Sequence, residues 1–183
     1  MNLKIVKDSN PKLREKCALV PTPLSPEHQE LIDAMLAYLI DSQNPDYRAK
    51  HPAIREGIGL AAPQVGKQLR MLVIYYPTGR GEEKVSLQLV NPKIVRNSVK
   101  KVYLSNGEGC LSVDQDHPGH VMRDYKIVVE AYDAKEKRDV TITARGMDAI
   151  VLQHEIDHLD GILYYDRISK TDPFQEPDGA VAL

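Results

Sequence analysis

The chain has 183 residues, and 24 Lys and Arg against 26 Asp and Glu leave a formal charge of −2. That balance argues against a protein held on nucleic acid by bulk electrostatics, so no direct DNA binding is expected. Apolar residues at 42% and charged residues at 27% exclude a disordered chain and predict one folded domain over 1–183.

No apolar run approaches the roughly 18 residues of a membrane span, and no membrane partner is expected. The segment from Met1 to Asp8 mixes charges among its few apolar residues, unlike a secretory signal, so a cytoplasmic location is expected. In that reducing compartment Cys17 and Cys110 are read as free thiols, Cys17 as a small buried hydrophobe.

Ser25-Pro26-Glu27 combines an N-cap side chain, a proline at the first helical position and an acidic first turn. Leu31, Ile32, Met35, Leu36, Leu39 and Ile40 follow at helical spacing, which predicts an amphipathic helix ending before Asn44-Pro45. Residues 42–56 carry Pro45 and Pro52 among charges without a clear period and are expected to form a loop insertion. The stretch from Gly57 to Gly66, GIGLAAPQVG, is richer in small residues than a routine loop. From there the pattern turns to β, with strands predicted at Met71–Tyr76, Val85–Val90, Val99–Leu104, Tyr125–Tyr132 and Asp139–Ala144. Gly146 opens a second helix closed by Asp160-Gly161, and the tail from Asp172 is expected to be irregular.

That second helix contains His154-Glu155-Ile156-Asp157-His158, with two imidazoles one turn apart and a carboxylate beside them. Met147, Ile150 and Val151 share the histidine face, Leu152, Ile156 and Leu159 form an adjoining apolar stripe, and only Gln153, Asp157 and Asp160 make a polar strip. Such a helix is mostly buried, and a divalent cation is the simplest compensation for burying its imidazoles and carboxylate.

A catalytic metal site needs a third protein ligand and an open position. The metzincin continuation fails because Tyr164 stands where its last histidine belongs, and Glu176 lies in a proline-flanked tail. Cys110, in Glu108-Gly109-Cys110-Leu111-Ser112, is the better candidate. The turn-like Pro-Gly in His117-Pro118-Gly119-His120 favours surface histidines outside the metal site.

With these residues in view, the sequence resembles the peptide deformylases, which remove the N-terminal formyl group from nascent proteins. Three blocks carry the resemblance, in the family's order: Gly57 to Gln64 (GIGLAAPQ), Glu108 to Ser112 (EGCLS) and His154 to His158 (HEIDH). The insertion at 42–56 is similar to that of the family's second subclass, found in many Gram-positive bacteria and mycoplasmas. The resemblance implies an α+β fold, mainly antiparallel sheets packed around a central buried helix carrying the His-Glu motif. It implies one divalent metal on Cys110, His154 and His158, ferrous iron in the cell, with zinc, nickel or cobalt able to replace it. Glu155 would carry the proton, and the Gln64 amide and Leu111 N–H would hold the oxyanion. Ile58, Gly59, Glu108, Gly109, Met147, Ile150 and Val151 would meet a formyl-methionyl peptide, a nascent chain at the ribosome. After the Pro-Gly pair the family's expected aromatic residue is replaced by His120, a departure at the cleft rim.

Overall fold

The computed structural model describes residues 3–78 and 81–183; Met1 and Asn2 of the N-terminal segment lie outside them. The elements are α1 (Pro26–Gln43), α2 (Pro45–Lys50), β1 (Gly59–Ala61), β2 (Met71–Pro77), β3 (Lys84–Asn97), β4 (Lys101–Tyr103), β5 (Arg123–Asp124), β6 (Lys126–Asp133), β7 (Arg138–Arg145), α3 (Met147–Leu159) and β8 (Val181–Ala182). Short 3-10 turns occupy Pro11–Arg14, Ala62–Val65 and Tyr164–Arg167.

A five-stranded antiparallel sheet has the order β1-β2-β3-β6-β7, and a small sheet has the order β5-β4-β8. Strand β2 explains how the helices are arranged. Successive side chains of a strand point to opposite faces, so Leu72 and Ile74 join the cluster that contains Leu152, Ile156 and Leu159 of α3. Met71 and Val73 join the one that contains Leu31, Ile32, Met35 and Leu39 of α1. The unbroken apolar run of β2 is thus a strand covered on both faces. Helix α3 packs against β1, β2 and β7 and also against β5 of the small sheet.

The chain's caps follow its local chemistry. The Ser25 hydroxyl accepts the His28 N–H at the start of α1, with Pro26 at the first helical position. Gly161 ends α3 at φ +75°, and a Cβ there would lie 2.3 Å from the Arg14 carbonyl oxygen, so backbone conformation and close packing both require glycine.

Several boundaries differ from expectation. The insertion at 42–56 is not wholly loop: Asn44 caps α2 through the N–H groups of Asp46 and Tyr47, and Pro45 begins that helix where it lacks no needed hydrogen bond. Strand β3 continues past Val90 to Asn97 because Asn91, at φ +53°, and Pro92 form an irregularity in its register with β6. The strand expected at Val99–Leu104 shortens to Lys101–Tyr103, with Val99 exposed in the turn before it. The tail contributes β8, paired in parallel with β4, where irregular chain was expected. Among the described residues no helix is long and apolar enough to cross a membrane.

Candidate active site

Helix α3 buries ten of its thirteen residues, including Gln153, Glu155, Asp157 and His158. Gln153 and Asp157, expected on a polar strip, are buried because β5 and the 3-10 turn at Tyr164–Arg167 cover them with partners. Cys110 arrives from the loop between β4 and β5, its Sγ 3.2 Å from His158 Nε2. The donor atoms of Cys110, His154 and His158 lie within 4.8 Å of one another, a soft and borderline set that fits a divalent transition metal. Two buried atoms beside them have no protein partner, His158 Nδ1 and Glu155 Oε2.

Other sequence candidates lie outside this group. Glu176 is not among the clustered donors, and the Tyr164 ring stacks on His154 with centroids 6.2 Å apart. His117 stacks on Tyr165. His120, expected at the surface, is buried against Tyr103 because Phe174 and the Pro173 and Gln175 carbonyls close over it. Cys17 is buried as expected.

A buried ion chain orients the first histidine. Glu108 Oε2 lies 2.8 Å from His154 Nδ1, which leaves Nε2 as the ring nitrogen free for the cluster. Arg123, whose side chain is 1% exposed, donates to both Glu108 oxygens at 2.8 and 2.9 Å and to Asp157 with its remaining arm. Arg167 closes the chain on Asp157 in a two-pronged contact. Burial opposes ionisation of Glu108, but hydrogen bonds from Arg123 and His154 outweigh it and hold its pKa at about 2. Burial also opposes charge on His154, yet the hydrogen bonds to Cys110 and Glu108 raise its pKa. For His158, burial and then the neighbouring positive charges lower the pKa, which favours the neutral imidazole that a metal requires. Burial lifts Glu155 to about 7.

Gln64 comes from the 3-10 turn after β1. Its Oε1 accepts the Ala61 N–H at 2.8 Å, and its Nε2 faces Ser112 Oγ at 3.2 Å and Cys110 Sγ at 3.4 Å. Gly59 lies against Glu155: a Cβ there would be 2.2 Å from Oε1, so any side chain would displace the carboxylate. A cleft of about 320 Å³ opens over these groups. Its walls include all the expected site residues except His158, which lies deeper.

Glu108 has a structural task as well as its place at the cleft. It borders the cleft, but both carboxylate oxygens are committed to Arg123 and His154. Sequence reasoning missed Arg123, Arg55 and Leu104. Arg123 sits in a two-residue strand too short to leave a periodic signal. Arg55, inside the insertion, donates through one nitrogen to the carbonyls of Cys110, Leu111 and Val113, tying the insertion to the cysteine loop. The only clue to it was its position two residues before the glycine-rich block.

The polypeptide deformylase family model matches residues 2–174. The chain is 46% identical to Peptide deformylase 2 of Geobacillus stearothermophilus, over 98% of this chain and 96% of that protein. It is 45% identical to the peptide deformylase of Macrococcus caseolyticus over the same shares. Among solved structures, a probable peptide deformylase from Synechococcus phage S-SSM7 superposes with TM-score 0.72 at 37% identity, covering 91% of this chain and 99% of that one. The peptide deformylase of Thermus thermophilus superposes with TM-score 0.71 at 31% identity, covering 91% and 86%. The chain belongs to the polypeptide deformylase family, metal-dependent hydrolases that remove the N-terminal formyl group from nascent peptides.

Proposed function

We propose that this chain hydrolyses formyl-methionyl nascent chains at the ribosome, in the cytoplasm, with Glu155 moving the proton. The observation that carries this reading is a buried carboxylate with a free Oε2, in a cleft shared with Cys110 and His154. Cys110, His154 and His158 would hold one ion, ferrous in the cell, with zinc, nickel or cobalt accommodated by the same mixed thiolate and imidazole donors. When bound, the ion supplies positive charge that acidifies water and polarises a carbonyl.

The chain's own residues do the rest. Strand β1 is an edge of the large sheet, so the free edge at Gly59 can pair with a substrate main chain, as Gly109 can from the facing loop. Ile58, Met147, Ile150 and Val151 line an apolar pocket for the methionine side chain. Glu155, desolvated and with its pKa near neutrality, takes the proton of the attacking water at Oε2 and returns it to the departing amine. The Gln64 amide and the Leu111 N–H stabilise the oxyanion, the first held rigid by Ala61 and Ser112.

Glu155→Gln and Cys110→Ala separate these roles. Glu155→Gln is expected to retain metal and lose on the order of 100-fold or more in amine release from formyl-Met-Ala-Ser, whereas Cys110→Ala loses both. Equal metal loss in the two variants would contradict the division. Metal analysis of active protein prepared without oxygen tests the iron assignment, which stoichiometric zinc with full activity would overturn.

A further inference from the structure

The loop that delivers Cys110 turns three backbone oxygens to one point. The carbonyls of Cys110, Leu111 and Val113 converge on a single atom, Arg55 Nη2, at 2.9, 2.6 and 3.1 Å. A cation at such a point is held by charge as well as by hydrogen bonds.

Two of these peptide groups also work on their far side. The peptide bonds of the loop are trans, so each carbonyl points away from the N–H of the residue that follows. Behind the Leu111 carbonyl stands the Ser112 N–H, which turns to Cys110 Sγ, 3.4 Å away. Behind the Cys110 carbonyl stands the Leu111 N–H, which meets no acceptor among the described residues, and Leu111 lines the cleft with Gln64 and Glu155. Positive charge on a carbonyl draws electron density from the amide nitrogen and strengthens its N–H as a donor, as hydrogen bonds in a chain reinforce one another.

The chain on either side of Arg55 is pinned. Arg48 pairs with Glu56 at 3.1 Å, Ser42 Oγ accepts the Gly57 N–H at 3.2 Å, and Gln43 Nε2 donates to the Gly57 carbonyl at 2.9 Å. Gly57 in turn seats the Leu111 side chain, since a Cβ there would lie 2.7 Å from Leu111 Cδ1. Lys7 grips the same loop on a different peptide, donating to the Leu111 carbonyl at 3.1 Å and to Asp114 at 2.7 Å. The Cys110 carbonyl receives, besides Arg55, the neutral Val113 N–H at 3.2 Å. Among the described residues Arg55 is thus the one cation on the peptide that carries the Leu111 N–H.

We propose that Arg55 is a positioning residue that aims and polarises the Leu111 N–H toward the developing oxyanion, and that the insertion at 42–56 serves to place it. This rests on the reading of Leu111 as an oxyanion donor. The effect belongs to turnover and not to substrate binding, because charge on the oxyanion grows only toward the transition state. A whole donor is worth on the order of 100-fold or more in rate, and polarisation strengthens a bond by a fraction, so removing the charge is expected to cost about 5-fold.

The test compares metal-loaded Arg55→Met, Arg55→Lys and Lys7→Met with the parent on formyl-Met-Ala-Ser. Arg55→Met is expected to lower kcat about 5-fold with KM within about 2-fold and metal content unchanged. Arg55→Lys should recover most of the loss, because Arg55 acts through one nitrogen that an ammonium can replace. Lys7→Met loosens the same loop and should leave kcat as in the parent. A second readout needs no turnover: in 15N-labelled, zinc-loaded protein the Leu111 amide nitrogen should move upfield in Arg55→Met, return in Arg55→Lys and stay in place in Lys7→Met. Should Arg55→Met not fold, Arg55→Gln, which keeps an N–H donor without the charge, carries the same expectations. Unchanged kcat or an unmoved Leu111 nitrogen on loss of the charge would overturn the proposal, as would an equal fall in kcat in Lys7→Met. A rise in KM in place of the fall in kcat would overturn it too, making Arg55 a substrate contact. Failure of the deformylase reading would appear separately, as parent protein inactive on the peptide while the nitrogen shift still reports on Arg55.

Discussion

Helices α1 and α3 cover opposite faces of the same sheet, yet they bury different chemistry. Helix α1 turns Leu31, Ile32, Met35 and Leu39 to the sheet, and its one buried polar side chain, Ser42, bonds the Leu39 carbonyl and the Gly57 N–H. Helix α3 buries Gln153, Glu155, Asp157 and His158 along with its apolar residues. A buried polar group must find a partner, so α3 required β5, the cysteine loop and the Tyr164–Arg167 turn to assemble around it. The groups left over, Glu155 Oε2 and His158 Nδ1, are next to the metal cluster. One helix is a scaffold whose burial follows a simple period, and the other is a scaffold with unfinished bonds that chemistry can use.

The comparison breaks most sharply at Arg123. Arg123→Met leaves Glu108 and Asp157 buried without their shared cation, and is expected to cost about 4 kcal/mol and to weaken metal binding by loosening His154. Urea unfolding and metal titration read the two effects. Arg167→Met, at a side chain 41% exposed, should cost much less, and equal losses would show that the chain does not act through its buried link.

On the α1 side, Met35→Ala empties a fully buried position in the cluster against β2 and is expected to cost about 3 kcal/mol. Turnover at a temperature where the variant remains folded should match the parent. A large fall in kcat with metal retained would mean that α1 is more than a scaffold. Ser25→Ala removes the hydroxyl that caps α1 and should lower stability by about 1 kcal/mol in the same unfolding assay.

The smallest effect concerns the two thiols. Burial pushes the Cys17 pKa up to about 11, so the fold favours its protonated form; that contribution holds through neutral pH and is lost as pH rises through 11. Iodoacetamide on metal-free protein at pH 8 is therefore expected to modify Cys110 well before Cys17, as peptide mass mapping would show. Equal labelling would mean that the Cys17 pocket opens easily.

Periodicity made α1, α3 and most of the large sheet legible, because each buries a face through local spacing that a linear chain displays. The His-Glu motif was legible for the same reason: one helical turn brings His154 to His158 without help from elsewhere. Cys110 and Gln64 were recognisable by their short glycine-rich frames, although nothing in those frames states that they meet. Short elements such as β5, β8 and α2 carry too few residues to show a period, and their existence depends on partners far along the chain. Arg123 had no local signature, since its identity matters only once Glu108 and Asp157 converge on it from a loop and a helix. Sequence alone determined which residues are candidates for the chemistry and which helix bears the His-Glu motif. Tertiary structure decided which histidine nitrogen is free, which carboxylate is committed and which is available, because those depend on burial and on partners that only folding brings within hydrogen-bonding distance.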